Sequence, residues 1–271
     1  MLPYPQIDPV ILEIGPLALR WYGLMYLIGF LSSYFLVRRQ ILTSDNQTEN
    51  AITLELNHLD SLFLWLVIGI IAGGRLGYVL FYNLPYYSEH ILEIFATWHG
   101  GMSFHGGAAG AIIAGWLYSR WNRIDFWLWA DRFVVTAPIG LGLGRIGNFI
   151  NGELYGRPSD VPWAMIFPGG GMIPRHPSQL YEAFLEGVLL FAILWPLSKK
   201  KWPYGRKLAI FLMLYAVVRT IAEFFREPDP QLGFVLLGVI TMGQVLSLAF
   251  LGLGLFLWWY LGKRPPDSSA W

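Results

Sequence analysis

The 271-residue chain contains no cysteine. That excludes disulfides, thiolate catalysis by the protein itself and cysteine-ligated metals. Any thiol in its chemistry has to be brought by a substrate. Charge is also scarce, with only 14% of residues charged, against 55% hydrophobic and 17% aromatic. A soluble domain carries roughly 25% charged residues. Together with a mean hydropathy of +0.47, this excludes an ordinary water-soluble fold and points to a polytopic membrane protein whose solvent is the bilayer. The net charge of +1 comes without a basic patch, so no nucleic-acid partner is expected. No HExxH and no His pair at helical spacing occurs among the five histidines, so no metal site is expected. The N-terminus has no basic region before its apolar residues and is broken by prolines, unlike a cleavable signal peptide.

Seven apolar runs approach the roughly 20 residues needed to span a hydrocarbon core: about 19–37, 60–82, 103–119, 128–150, 179–197, 208–225 and 236–260. Eleven Lys and Arg residues follow the odd-numbered runs, from Arg38 and Arg39 to Lys263 and Arg264. Only Arg157, Arg175 and Arg226 fall on the other side. By the positive-inside rule the N-terminus is outside and the C-terminus cytoplasmic. The expected fold is all-α, with seven transmembrane helices and a small irregular periplasmic cap. One domain covers 1–264, with a periplasmic arm at 1–17 and the cap at 151–177; 265–271 is a short cytoplasmic tail.

The stretch Gly140–Gly156, reading GLGLGRIGNFINGELYG, concentrates the polar chemistry. It ends a long apolar run, yet holds Arg145, Asn148, Asn151 and Glu153 among six glycines. Ionisable residues inside a membrane are costly and mark functional sites by default. Tyr22, Arg75, His105, Arg145 and Arg219 each lie 12–16 residues beyond the cytoplasmic end of their run. At 1.5 Å per residue that is roughly 18–24 Å up, in the outer half of a core roughly 30 Å thick. The expectation is one polar chamber open to the outer leaflet. Arg75, Arg145, Arg219 and Arg226 outnumber the nearby Glu153 and Glu223, a surplus that suits an anionic phospholipid headgroup. Tyr215, Arg219 and Glu223 repeat at four-residue spacing, so Arg219 and Glu223 can pair. His105 begins a run of small residues, Gly106–Gly110, which lets a helix or a lipid lie close to its imidazole. A neutral imidazole in a semi-dry pocket is a competent general base. Salt-bridge satisfaction, helix packing and aromatic-belt seating are the plainer readings of the same residues, and an Arg-lined lipid or anion transporter is the functional alternative.

The segments WYGLMYLIGF (Trp21–Phe30), GGRLGYVLFYN (Gly73–Asn83), the HGG at His105, GRIGNFINGELYG, RHPSQLYE (Arg175–Glu182), YxxxRxxxEFFR (Tyr215–Arg226) and MGQ (Met242–Gln244) resemble the bacterial prolipoprotein diacylglyceryl transferase family. The likeness runs in order from about Pro9 to Ser247. It implies a seven-span enzyme of the bacterial cytoplasmic (inner) membrane. Such an enzyme moves the diacylglyceryl group of phosphatidylglycerol to the lipobox cysteine in the signal peptide of a prolipoprotein, with no cofactor. Its catalytic residues would be His105, Arg145, Arg219 and Tyr215. Phosphatidylglycerol would be bound by Arg145, Asn148, Gly144, Glu153, Tyr22, Arg219, Glu223 and Arg226. His99 is a departure, because relatives often carry an acid at that place.

Overall fold

The computed structural model describes residues 2–15, 17–44, 48–97, 100–228, 234–236 and 240–263, with backbone alone for Ile14, Leu17 and 234–236. His99, Trp98 and the tail 265–271 lie outside the described residues. The described chain is mostly helical. It divides into two compact units. One holds the chain up to Val37 and again from Asp131; the other holds Arg38–Ala130.

The arm before the first helix is a two-stranded antiparallel hairpin, β1 (Val10–Ile14) and β2 (Leu17–Arg20). It turns at Gly15, whose φ of +59° suits glycine. Ahead of it, Tyr4 donates its hydroxyl to the Phe149 carbonyl at 2.7 Å. Its ring packs against Phe149 and Phe167. The arm expected along the outer surface is therefore pinned onto the segment that follows Ile150. Helix α1 (Trp21–Leu42) leads on to α2 (Glu49–Phe81), 33 residues long and N-capped by Thr48. Between α2 and the next long helix lie α3 (Leu84–Glu89) and a 3₁₀ turn, Ile91–Phe95. Helix α4 (Phe104–Asn122) follows, capped by Ser103.

Helices α2 and α4 meet through glycine. A Cβ at Gly110 would sit 2.0 Å from the Gly69 carbonyl, and one at Gly106 would sit 2.3 Å from the Gly73 carbonyl. The small-residue strip after His105 admits a helix, one of the two partners expected for it. Close backbone approach replaces hydrophobic burial as the attraction where lipid is the solvent.

The single run expected at 128–150 is broken. Helix α5 (Phe126–Val134) ends before Pro138, which opens α6 (Ala137–Ile150). Proline suits a first helical turn because its missing N–H has no partner there anyway. The stretch Ser178–Leu197 forms α7 (Ser178–Glu182), a π-helical segment (Ala183–Leu189) and α8 (Leu190–Leu197). Then come α9 (Arg206–Glu223), short strands β3 (Phe234–Leu236) and β4 (Ile240–Thr241), and α10 (Met242–Leu261). Val135, Leu190, Leu194 and Val218 form a dry core between these elements.

Three helical stretches among the described residues are long and apolar enough to cross a membrane: α2, Ser178–Leu197 and α10. The bent pair α5–α6 makes a fourth if taken as one span. Helices α1, α4 and α9, of 22, 19 and 18 residues, are about 27–33 Å long, but glycines, hydroxyls and charges dilute their hydropathy. Leu64, Ile112, Trp116, Phe184 and Leu255 stand exposed on helix faces. In a membrane, lipid solvates such faces. The chain is an integral membrane protein.

Candidate functional site

Helix α6 is lodged between neighbours that its glycines admit. A Cβ at Gly142 would lie 2.9 Å from the Gly187 Cα in the π-helical segment. One at Gly147 would lie 2.8 Å from the Tyr22 ring of α1. This seating brings Arg145 to the helix carrying Glu182 and Glu186. Its Nε is 2.9 Å from Glu182 Oε2 and 3.3 Å from Glu186 Oε2. From α9, Arg219 Nη1 reaches the same two acids, 2.8 Å from Glu182 Oε2 and 3.2 Å from Glu186 Oε1. The four side chains close a ring in which cation and anion alternate. Arg219 Nη2 adds Glu223 at 2.8 Å, the four-residue pair that the spacing predicts.

The acids are deeply placed, with Glu182 and Glu186 exposed by 1% and 0%. They stand four residues apart, and the π-helical segment begins between them. Such widened turns inside α-helices are rare and concentrate at functional positions. Glu223 is also held from α10. Thr241 donates its hydroxyl to Glu223 Oε1 at 2.9 Å, and a Cβ at Gly243 would stand 2.7 Å from the carboxylate. The Thr241–Gln244 capping box fixes that end of α10, which gives the MGQ motif its physical content.

This geometry corrects the arginine surplus expected from the sequence. Arg145 and Arg219 face three glutamates, because Glu182 and Glu186 from the helix after the segment 151–177 join Glu223. Two Glu residues at i, i+4 inside an apolar run, 179–197, are themselves an intramembrane-charge signal. Arg145 engages its acids through Nε and Nη2. Among the described residues Nη1 meets no acceptor, which leaves one end of the fork for a ligand.

The other expected residues fall into smaller groups. Asn148 is buried and donates to Glu153 Oε1 at 2.9 Å, as Asn151 does at 3.1 Å. Gln179 donates to the Glu153 carbonyl at 2.6 Å. Tyr22 and Tyr26 share a hydrogen bond of 3.1 Å on α1, and Gly144 faces the Tyr26 hydroxyl. Tyr215 stacks on Phe211, within electrostatic reach of Glu186 and Arg219. The Arg226 carbonyl accepts from Arg157 Nε at 2.9 Å, tying the end of α9 to the segment 151–177. In that segment His176 hydrogen-bonds the Tyr181 hydroxyl at 3.1 Å. Burial lowers the basicity of its imidazole, with Asp160 acting the other way. An apolar cavity of about 450 Å³ opens beside it, walled by Trp163, Leu180, Phe184 and Phe225.

In the second unit, His105 is exposed in the first turn of α4, its ring edge-on to Phe104. Arg75 does not behave as a chamber residue. It is 3% exposed, and its guanidinium is consumed by backbone carbonyls: Ile94 at 2.9 Å, Ala96 at 3.1 Å, Gly101 at 3.2 Å, and those of Glu93 and Gly100. All five of its N–H groups are used, so it has no fork left for a phosphate.

The family model described as prolipoprotein diacylglyceryl transferase matches residues 9–260. The chain belongs to this family. A phosphatidylglycerol–prolipoprotein diacylglyceryl transferase of Desulfotalea psychrophila is 55% identical over 98% of the chain and 97% of its own length. Proteins of the same name from Nitratidesulfovibrio vulgaris and Pseudomonas fluorescens are 52% and 51% identical. The first match covers 95% of both chains and the second 100% of both.

Proposed function

We propose that this protein transfers the diacylglyceryl group of phosphatidylglycerol to the cysteine thiol of a prolipoprotein lipobox, forming a thioether and releasing glycerol phosphate. The match to transferases of this name along nearly the whole chain carries the reading. In the reaction the thiol loses its proton and sulfur attacks the glyceryl carbon that bears the phosphate. The carbon–oxygen bond breaks and the phosphate keeps the electron pair. Free thiols ionise near pH 8.5, so a base raises the thiolate fraction at neutral pH. His105 is assigned that role by its HGG motif.

Negative charge grows on the phosphate as it leaves, and preorganised cations in a water-poor site stabilise it. Arg145 and Arg219 are such cations, since the glutamate ring fixes both guanidiniums before substrate arrives. Arg145 Nη1 reaches the phosphate, and Asn148, Gly144, Glu153, Tyr22, Tyr215, Glu223 and Arg226 complete the lipid site. The protein is a seven-span enzyme of the bacterial inner membrane, one domain over 1–264, with a periplasmic arm at 1–17 and cap at 151–177. Its N-terminus is periplasmic and its tail cytoplasmic. Basic residues after the odd-numbered runs support this orientation. The transporter alternative gains nothing from relatives that are transferases by name over their full length.

The test is direct. Purified protein is incubated with phosphatidylglycerol and a lipobox peptide, and the peptide is weighed by mass spectrometry. A diacylglyceryl adduct on the cysteine is expected. Unmodified peptide with lipid flux in proteoliposomes would overturn the assignment in favour of transport.

A further inference from the structure

Arg75 is a buried cation that the proposed chemistry does not use, and its surroundings give it a different task. Its five N–H donors gather two separate stretches, Glu93–Ala96 and Gly100–Gly101, onto one guanidinium. The Tyr87 ring lies 5.0 Å from its central carbon, a cation–π contact. The Glu93, Ile94 and Ala96 carbonyls end the 3₁₀ turn and those of Gly100 and Gly101 belong to a second stretch, so one guanidinium joins the two.

The convergence continues toward α4. Gly100 and Gly101 run at φ +83° and +76°, a conformation glycine adopts freely. A Cβ at Gly101 would stand 2.6 Å from the Tyr78 ring and 3.0 Å from Arg75 Nη1. Two residues on, the Ser103 N–H donates to the Gly74 carbonyl at 2.9 Å. The Ser103 side chain then accepts from the Gly106 N–H at 3.2 Å and caps α4. His105 lies between Ser103 and Gly106. The first turn of α4 is thus fixed on one side by its glycine seam with α2 and on the other by the peptide that Arg75 grips.

We infer that Arg75 is a positioning residue for His105, acting by clasping the segment that leads into α4, and is not a ligand of the lipid phosphate. The inference rests on the transferase reading for its kinetic consequences. The clasp itself can be tested without it.

Arg75→Ala and Arg75→Lys are compared with the wild type in two measurements. The first is hydrogen exchange in detergent: amides of Ile94–Ala96 and Gly101–Gly107 are expected to exchange faster in both variants, with α9 and α10 unchanged. The second is transfer kinetics. Displacing a catalytic group by an ångström costs up to about 100-fold, so kcat is expected to fall about 10- to 100-fold while KM for phosphatidylglycerol stays put. Added guanidinium should restore part of the Arg75→Ala turnover by refilling the fork, and methylammonium should not. A raised KM with kcat intact would make Arg75 a lipid ligand and overturn the inference. Wild-type exchange in the two stretches would overturn it as well. If neither variant folds, Tyr87→Leu keeps Arg75 but loosens its seat, and it must raise exchange in the same stretches for the inference to stand. A wild type without transfer activity would sink the proposed function and leave the exchange result to judge the clasp.

Discussion

Arg75 and the pair Arg145–Arg219 are the same side chain solved two ways. In the second unit one guanidinium is saturated by backbone carbonyls, which are neutral and belong to loop peptides. In the first unit two guanidiniums share Glu182 and Glu186, and among the described residues Arg145 Nη1 meets no acceptor. A cation whose donors are all spent on backbone holds a fold together. A cation oriented by carboxylates, with a donor to spare, is preset for a ligand. The sequence places the three arginines at similar depth and cannot separate these roles, because acceptors contributed by the main chain have no residue type.

The sharpest break of this comparison is at the ring. Glu186→Ala removes one carboxylate from a fully buried site and is expected to destabilise the protein by about 3–5 kcal/mol, read as a lowered melting temperature in detergent. Glu186→Gln, which keeps the shape, is expected to lose less.

Next is Arg145→Ala, expected to lower transfer by about 100- to 1000-fold, the cost of removing one preorganised donor. Arg145→Lys is not expected to rescue it, since a point charge cannot span Glu182, Glu186 and a phosphate together. Adduct yield by mass spectrometry measures both. The Arg75 variants fall below this in kinetic effect, so equal losses at Arg75 and Arg145, both in KM, would erase the distinction between clasp and ligand.

The glycines sharpen it further. Gly110→Ala drives a Cβ against the Gly69 backbone and is expected to cost about 1–3 kcal/mol. Gly252→Ala, with nothing within 4 Å of the added carbon, is expected to be neutral or stabilising by up to about 1 kcal/mol. Thermal melts compare the two.

The smallest expected effect is at His176. Burial holds its folded-state proton affinity below the ordinary value, so below about pH 6.5 the unfolded chain binds more protons. The stabilising contribution is present above that pH and lost as pH falls. Amide protection factors in the segment 151–177, with exchange corrected for its own pH dependence, are expected to fall modestly between pH 7.5 and 5, and His176→Gln should flatten the dependence.

Much is legible in the sequence itself. The membrane class follows from composition, because a chain with so little charge cannot cover itself against water. The glycine strip after His105 declared a close approach, and Arg219 with Glu223 declared an ion pair. The GRIGNFINGELYG segment concentrates Arg145, Asn148 and Glu153, and the last two hydrogen-bond each other at 2.9 Å. These are local properties, fixed by residue type and helical spacing.

Tertiary structure decided the rest. It recruited Glu182 and Glu186 from another helix, through a π-helical turn that no residue pattern announces, and turned an apparent cationic surplus into an ion ring. It broke the run 128–150 into α5 and α6. It spent the Arg75 guanidinium on five backbone carbonyls. The physical reason is common to the two charge sites. Sequence spacing determines which side chains share one helix, whereas a buried charge is defined by the acceptors that other segments bring to it, and those are assembled only when the chain packs.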